Sequence, residues 1–153
     1  MSTAAGDAWR IERGDWLRLE GPAKAVRMEV FVREQGIDQR RELDEWDAGC
    51  IHAVAWDAQG GPIGTGRLLP DDRIGRMAVL AAWRRRGVGA AILHELVAAA
   101  RARGSRRVFL HAQASAIGFY ERLGFFPEGP RFLEEGIEHQ EMEMHLGSPW
   151  TAG

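Results

Sequence analysis

Apolar positions along this 153-residue chain recur at two periods, and the switches between the periods lay out its elements. Trp16-Leu17-Arg18-Leu19 alternates and predicts a first strand. Pro22 opens a helical stretch over about 23–34, where Val26, Val30 and Phe31 fall at helical spacing, and Gly36 ends it. Residues 37–47 are polar and charged and predict a loop. Two apolar runs, 52–56 and 63–69, flank the turn chemistry of Asp57 to Pro62 and predict a hairpin. A strand is expected over 74–80. A helix is expected over 87–103, with Val88, Ile92, Leu96 and Ala99 in one stripe and Gly104 at its end. A strand over 108–112 and a short helix over 115–123, closed by Gly124, come next. Two last strands are expected near Phe132 and over 140–146. In the second, Met142, Met144 and Leu146 oppose Glu141, Glu143 and His145. Strands in hairpins with helices interspersed make an α/β or α+β sheet.

Composition narrows the class. The length suits one domain over 1–153, with about 1–8 and 148–153 expected to fray. A hydrophobic fraction of 45% and a charged fraction of 27% belong to a folded chain rather than a disordered one. Lys+Arg of 20 against Asp+Glu of 22 leaves a net charge of -2, which gives no basic field for nucleic acid or an anionic membrane. No stretch has the form of a membrane span or secretion signal, which points to the cytoplasm. Cys50 stands alone, so an internal disulfide framework and a multi-cysteine zinc site are excluded, and no metal is expected.

The chemistry concentrates in two segments. Gly87-Val88-Gly89-Ala90 enters a helix with exposed backbone amides, a site suited to a diphosphate, and Arg84, Arg85 and Arg86 add charge beside it. A dinucleotide fingerprint would need a small residue where Ile92 stands, and Lys24, the only lysine, is far from any phosphate loop. Alone, the glycine pair and the arginine run also fit a solvated helix start. The second segment, Gln113 to Phe125, alone reads as a short helix with Phe119 and Leu123 in the core.

In that order, the two segments resemble the GNAT N-acetyltransferase superfamily. Arg84, Gly87 and Gly89, followed by Ala90, match its coenzyme A signature, and Ala116, Tyr120, Gly124 and Phe125 match its later one. Val30 to Gln35, Gly64 to Arg67, Arg76 to Val79 and Phe132 to His139 resemble the ElaA-like (YjcF-like) branch. The resemblance implies a mixed, largely antiparallel sheet with a splay between two central parallel strands. It implies direct acetyl transfer from acetyl-CoA to a primary amine of a small molecule or protein. Met77, Ala78 and Val79 would pair with the pantetheine, the Val79 amide polarising the thioester, and Tyr120 would protonate the sulfur. Gln113 stands where many members carry asparagine, with the same amide on a longer arm. The candidate bases are Glu34, Asp44, His52, Glu135 and His139. Histidine as a residue type has the most suitable unperturbed pKa, which favours His139, and Glu34 is the other catalytic candidate. Glu34, Asp44, Glu135 and His139 are the expected acceptor contacts. His111, mid-strand, reads as a satisfied core residue, and His94 and His145 as solvent-facing. The glutamates of the last hairpin suit a cationic acceptor and equally suit a charge-protected edge. A coenzyme A-binding sensor without catalysis stays open as an alternative, as does a homodimer. A nucleic-acid-binding domain is disfavoured by the charge balance.

Overall fold

A computed structural model describes residues 8–39 and 44–147. The expected tails at 1–7 and 148–153, and residues 40–43 of the expected loop, lie outside the described residues. Among the described residues seven strands form one sheet: β1 (Trp9–Gly14), β2 (Ile51–Asp57), β3 (Pro62–Leu68), β4 (Arg73–Val79), β5 (Arg107–Gln113), β6 (Phe126–Glu134) and β7 (Ile137–His145). Their order is β1-β2-β3-β4-β5-β7-β6, and β4–β5 is the parallel pair in an otherwise antiparallel sheet. The mixed α/β architecture expected above is the one found.

Helices cover both faces of the central strands. Val54 packs with Leu19 and Ala23 of α1 (Trp16–Arg27), while its neighbours Ala53 and Ala55 join the core of α2 (Val88–Ala102). Two glycines let α2 lie close on β3. A Cβ at Gly66 would come within 2.9 Å of Ile92, and one at Gly64 within 2.8 Å of the same side chain. The glycines are therefore packing residues, and larger side chains there would push the helix off the sheet.

The N-terminal region departs from expectation. Trp16 to Leu19 is helix, not strand. Asp15 caps it by accepting from the Arg18 amide at 3.0 Å, and Leu19, Ala23, Val26 and Val30 continue one buried helical stripe. Leu17, half of the apparent alternation, is 91% exposed. The first strand lies earlier, over Trp9–Gly14, paired with β2. Pro22 sits inside α1 rather than opening it. Beyond Arg27 the helix widens into a π turn over Met28–Glu34, with the Gln35 amide reaching the Val30 carbonyl at 3.0 Å, and Gly36 follows at φ 75°. A short α3 (Ile117–Arg122) precedes Gly124, at φ 99°.

What opens the sheet is a bulge. Between the pairs Thr65–Ala78 and Arg67–Gly75, β4 carries one residue more than β3, and Arg76 adopts φ 50° there. Strands β4 and β5 pair at Arg73–Phe109 and Ile74–Leu110 and then separate. Five residues of β4 beyond Ile74, about 16 Å of strand, are left facing a gap.

Candidate active site

A cleft of about 510 Å³ fills the gap, bounded by the π turn, the far half of β4, the end of β5, α3 and the β6–β7 turn. The Leu80 amide donates to the Ile63 carbonyl at 2.9 Å. Because backbone groups alternate sides along an antiparallel strand, Val79 directs its own N–H and carbonyl away from β3, toward the cleft. All three of Met77, Ala78 and Val79 line the cleft.

The N-terminus of α2 stands at the end of this strand. Gly87 caps it at φ 86°, a conformation that favours glycine, and the first intrahelical bond runs from the Ala91 amide to the Gly87 carbonyl. The amides of Val88, Gly89 and Ala90 precede that bond and form a donor cluster at the positive helix end. The Val88 side chain is buried in the core, so only its backbone can meet a ligand. A Cβ at Gly89 would make only ordinary contacts, 3.5 Å to Phe119 and 3.7 Å to Val79, so the fold itself does not demand glycine there. These features fit a diphosphate. Arg85 and Arg86 are exposed beside the terminus, and Arg86 lies over the Trp83 ring at 5.0 Å. Arg84 turns the other way. Its Nε donates to the Val79 carbonyl at 2.9 Å, and its two Nη groups fork onto Glu34 at 2.6 Å each.

That fork changes the reading of Glu34. The Arg84 hydrogen bonds hold its carboxyl below the usual range, so it lines the cleft as an engaged carboxylate and is a poor proton acceptor. Asp44, expected against the acceptor, instead lies in the adjoining cavity, forked onto Arg67 at 2.8 and 2.9 Å and bonded to Arg76 at 3.1 Å. Burial alone would raise its carboxyl, but the arginines win and hold it at about 2. Behind it Asp47 is forked by Arg27 and touched by Arg67, closing a buried network.

Tyr120 lines the cleft at 8% exposure, its ring edge-on to Phe119 and Phe125. Burial pushes its phenol up to about 12, so it is a proton carrier at any working pH. The Gln113 amide donates to the Gln35 side-chain carbonyl at 3.1 Å, tying the end of β5 to the π turn. His139 is buried, with Nδ1 2.7 Å from the Ile137 carbonyl. A carbonyl only accepts, so Nδ1 carries the hydrogen, and the neutral form of the ring has its lone pair at Nε2. Glu135 lines the cleft from the β6–β7 turn, at φ 53° with Gly136 at 73°.

His111 is a correction. It is half-buried on the cleft wall rather than in the core, with Nδ1 3.0 Å from Glu134. The alternation of β5 carried the signal: Val108, Leu110 and Ala112 face the core, which puts Phe109, His111 and Gln113 on the other side. His52, bonded to the Asp47 carbonyl at 2.9 Å and stacked near Trp16, is structural. Cys50 is buried, and burial pushes its thiol up to about 11, which leaves it no nucleophile.

The sequence profile of the acetyltransferase (GNAT) domain matches residues 23–146, which span both segments and the whole cleft. The chain belongs to the GNAT acetyltransferase family. A Bacillus subtilis protein named as an uncharacterized N-acetyltransferase, YjcF, is 37% identical over 121 residues, covering 76% of this chain and 86% of its own. A solved Lactobacillus plantarum structure described as a candidate N-acetyltransferase superposes with a TM-score of 0.83 at 31% identity, over 91% of this chain and 99% of that one. Escherichia coli ElaA shares the fold, with a TM-score of 0.79 at 24% identity over 90% and 99% of the two chains. The protein is thus an acyltransferase, and acetyl-CoA is the cosubstrate of its family. In this GNAT fold the β4–β5 separation, expected from the resemblance, is produced by the bulge at Arg76.

Proposed function

We propose that the cleft transfers an acetyl group from acetyl-CoA directly to a primary amine of a small molecule or protein. Acetyl-CoA, when bound, supplies an acetyl group activated as a thioester. The observation that carries the reading is the Val79 amide, directed into the same cleft that Tyr120 and His139 line. The amides of Val88, Gly89 and Ala90 hold the diphosphate, with Arg85 and Arg86 beside them. Met77 and Val79 offer backbone groups to the pantetheine in the manner of an added strand.

Each residue then has one task. The Val79 N–H stabilises the oxyanion that develops when the amine nitrogen attacks the acetyl carbon. His139 Nε2 accepts the proton that the amine must lose. As the carbon–sulfur bond breaks, Tyr120 gives its proton to sulfur and is later reprotonated from water. A phenol raised to about 12 by burial is a reluctant donor to a solvated thiolate. A thiolate released into the same dry cleft is destabilised by the same burial, so the two shifts offset each other. Arg84 acts as a brace: it anchors the Val79 carbonyl and the π turn together, which orients the Val79 amide.

Thiol release from acetyl-CoA with a panel of amines tests the reading. Turnover with at least one amine, abolished in step with loss of Tyr120, is the expected result. Tight acetyl-CoA binding without release for any amine would mark the fold as a coenzyme sensor.

A further inference from the structure

One charged group in the cleft wall has no assigned task. Arg73, on β4, lines both the cleft and the adjoining cavity of about 490 Å³. Its side chain is two-thirds buried, at 33% exposure, and its Nε is shielded from solvent. Among the described residues no acceptor lies within hydrogen-bonding reach of that Nε, and the guanidinium's ion-pair partner is Glu134 Oε2, 3.8 Å away, beyond bonding distance. Arg67 also leaves its Nε without an acceptor, but its Nη groups are forked onto Asp44, as those of Arg27 are onto Asp47. A desolvated guanidinium without a fork partner is costly to keep, and it is shaped for a carboxylate.

Glu134 shows the matching gap. Its Oε1 accepts from His111 Nδ1 at 3.0 Å, and that bond leads in holding the carboxyl ionised. Its Oε2 lies 3.8 Å from Arg73 Nη2 and 3.8 Å from His139 Nε2. Both separations are too long for a direct bond. A separation of 3.8 Å lets one ammonium beside the pair donate to both Glu134 Oε2 and His139 Nε2.

We infer that Arg73 and Glu134 form a zwitterion-binding subsite, which makes the acceptor an α- or β-amino acid. Arg73 takes the carboxylate, and Glu134 Oε2 takes the ammonium and sets its nitrogen beside His139 Nε2. The inference rests on the proposed acetyl transfer and names its substrate class. The two poles of such a molecule are one or two carbons apart, which suits facing groups this close. A diamine or polyamine would leave the Arg73 fork unmet and set a second cation against it. The side chain of the amino acid runs into the adjoining cavity, where Ile37, Trp46, Leu69 and Pro70 offer apolar surface.

The test compares phenylalanine, alanine and β-alanine with their carboxamides, which keep the amine and lose the carboxylate. Thiol release is measured for the wild type, Arg73→Gln and Arg73→Lys. Melting temperature is followed with the same compounds in the absence of acetyl-CoA. In the wild type, kcat/KM for at least one acid should exceed that of its carboxamide tenfold or more. Arg73→Gln should reduce this ratio at least tenfold, and Arg73→Lys, which keeps charge without the fork, should fall between. The lysine variant decides the matter should the glutamine variant not fold. A ratio near one in the wild type, or a wild-type ratio in either folded variant, overturns the subsite while leaving acetyl transfer standing. Absence of thiol release with every amine overturns the transfer reading instead. The subsite then stands only if the acids, and not their carboxamides, raise the melting temperature of the wild type but not of the variant.

Discussion

The two sides of the cleft are built from different materials. Under the proposed function, the coenzyme side is made of backbone: the amides that open α2, the outward groups of Val79, the strand at Met77, and glycine at positions 87 and 89. Its residues lie within fourteen positions of one another. The proposed acceptor side is made of side chains that line the cleft from separate elements: Glu34 on the π turn, Arg73 on β4, His111 on β5, Glu134 on β6 and His139 on β7. Backbone recognition serves a ligand that never changes, because amides are present at every position and need only be exposed. Side-chain recognition can be altered residue by residue, so acceptor choice would reside there.

The contrast predicts that substitutions divide by the quantity they change. Tyr120 sits between the two sides and should give the greatest effect. Tyr120→Phe keeps the ring contacts with Phe119 and Phe125 and removes only the donor. Expected is a loss of about 10² to 10⁴ in kcat, with acetyl-CoA affinity by calorimetry changed less than about twofold. Wild-type turnover would return the proton to water. On the acceptor side, His139→Ala should lower kcat by about 10², again with coenzyme affinity kept. Equal damage to coenzyme affinity would remove the distinction between the sides.

Gly89→Val should do the reverse. The fold accepts a Cβ there, so the variant should melt near the wild type while acetyl-CoA binds about tenfold or more weakly, from lost charge-assisted amide bonds. A variant that binds normally would show that the coenzyme approaches elsewhere.

Two smaller effects concern the scaffold of the acceptor side. Asp44 is held at about 2 in the folded state, below its unfolded value near 4. The unfolded chain therefore binds more protons in that window, and stability falls as pH drops from about 4 toward 2. Asp44→Asn should melt lower at neutral pH, by about 1–3 kcal/mol, since Arg67 keeps Asp47. Its melting temperature should also change less between pH 4 and 2; a slope identical to wild type there would assign acid unfolding to other carboxyls. Least of all, Glu135→Asn should alter stability by no more than about 0.5 kcal/mol. Asparagine accepts the positive φ that Glu135 already holds in its turn. A large loss on melting would show that the carboxylate, not the turn, matters there.

Most of the fold could be read before the structure. From Ile51 to His145 each strand and helix lies within a few residues of its expected place, because period and turn chemistry are properties of adjacent residues. The start of α1 was misread because four residues of alternation outweighed the Asp15 cap and a stripe that runs on to Val30. β1 was missed because Trp9 and Ile11 offer only two apolar positions.

The glycine pair and Tyr120 stand out in the sequence for the same reason: each belongs to a short run of adjacent residues, and the structure brings Tyr120 to the cleft. The rest of the site does not stand out. Arg84 meets Glu34 across 50 positions and Gln113 meets Gln35 across 78, and no local pattern records such partners. Arg27, Asp47 and Arg67 look like surface charge in the chain and are buried in the fold. A charged side chain tolerates burial only against a matched partner, and it is chain folding that brings that partner into reach. Local sequence thus determined the elements and the exposed backbone donors that open α2. Only the packing of distant strands decided which charges are spent on one another and which, like Arg73 and Glu134, still face the cleft.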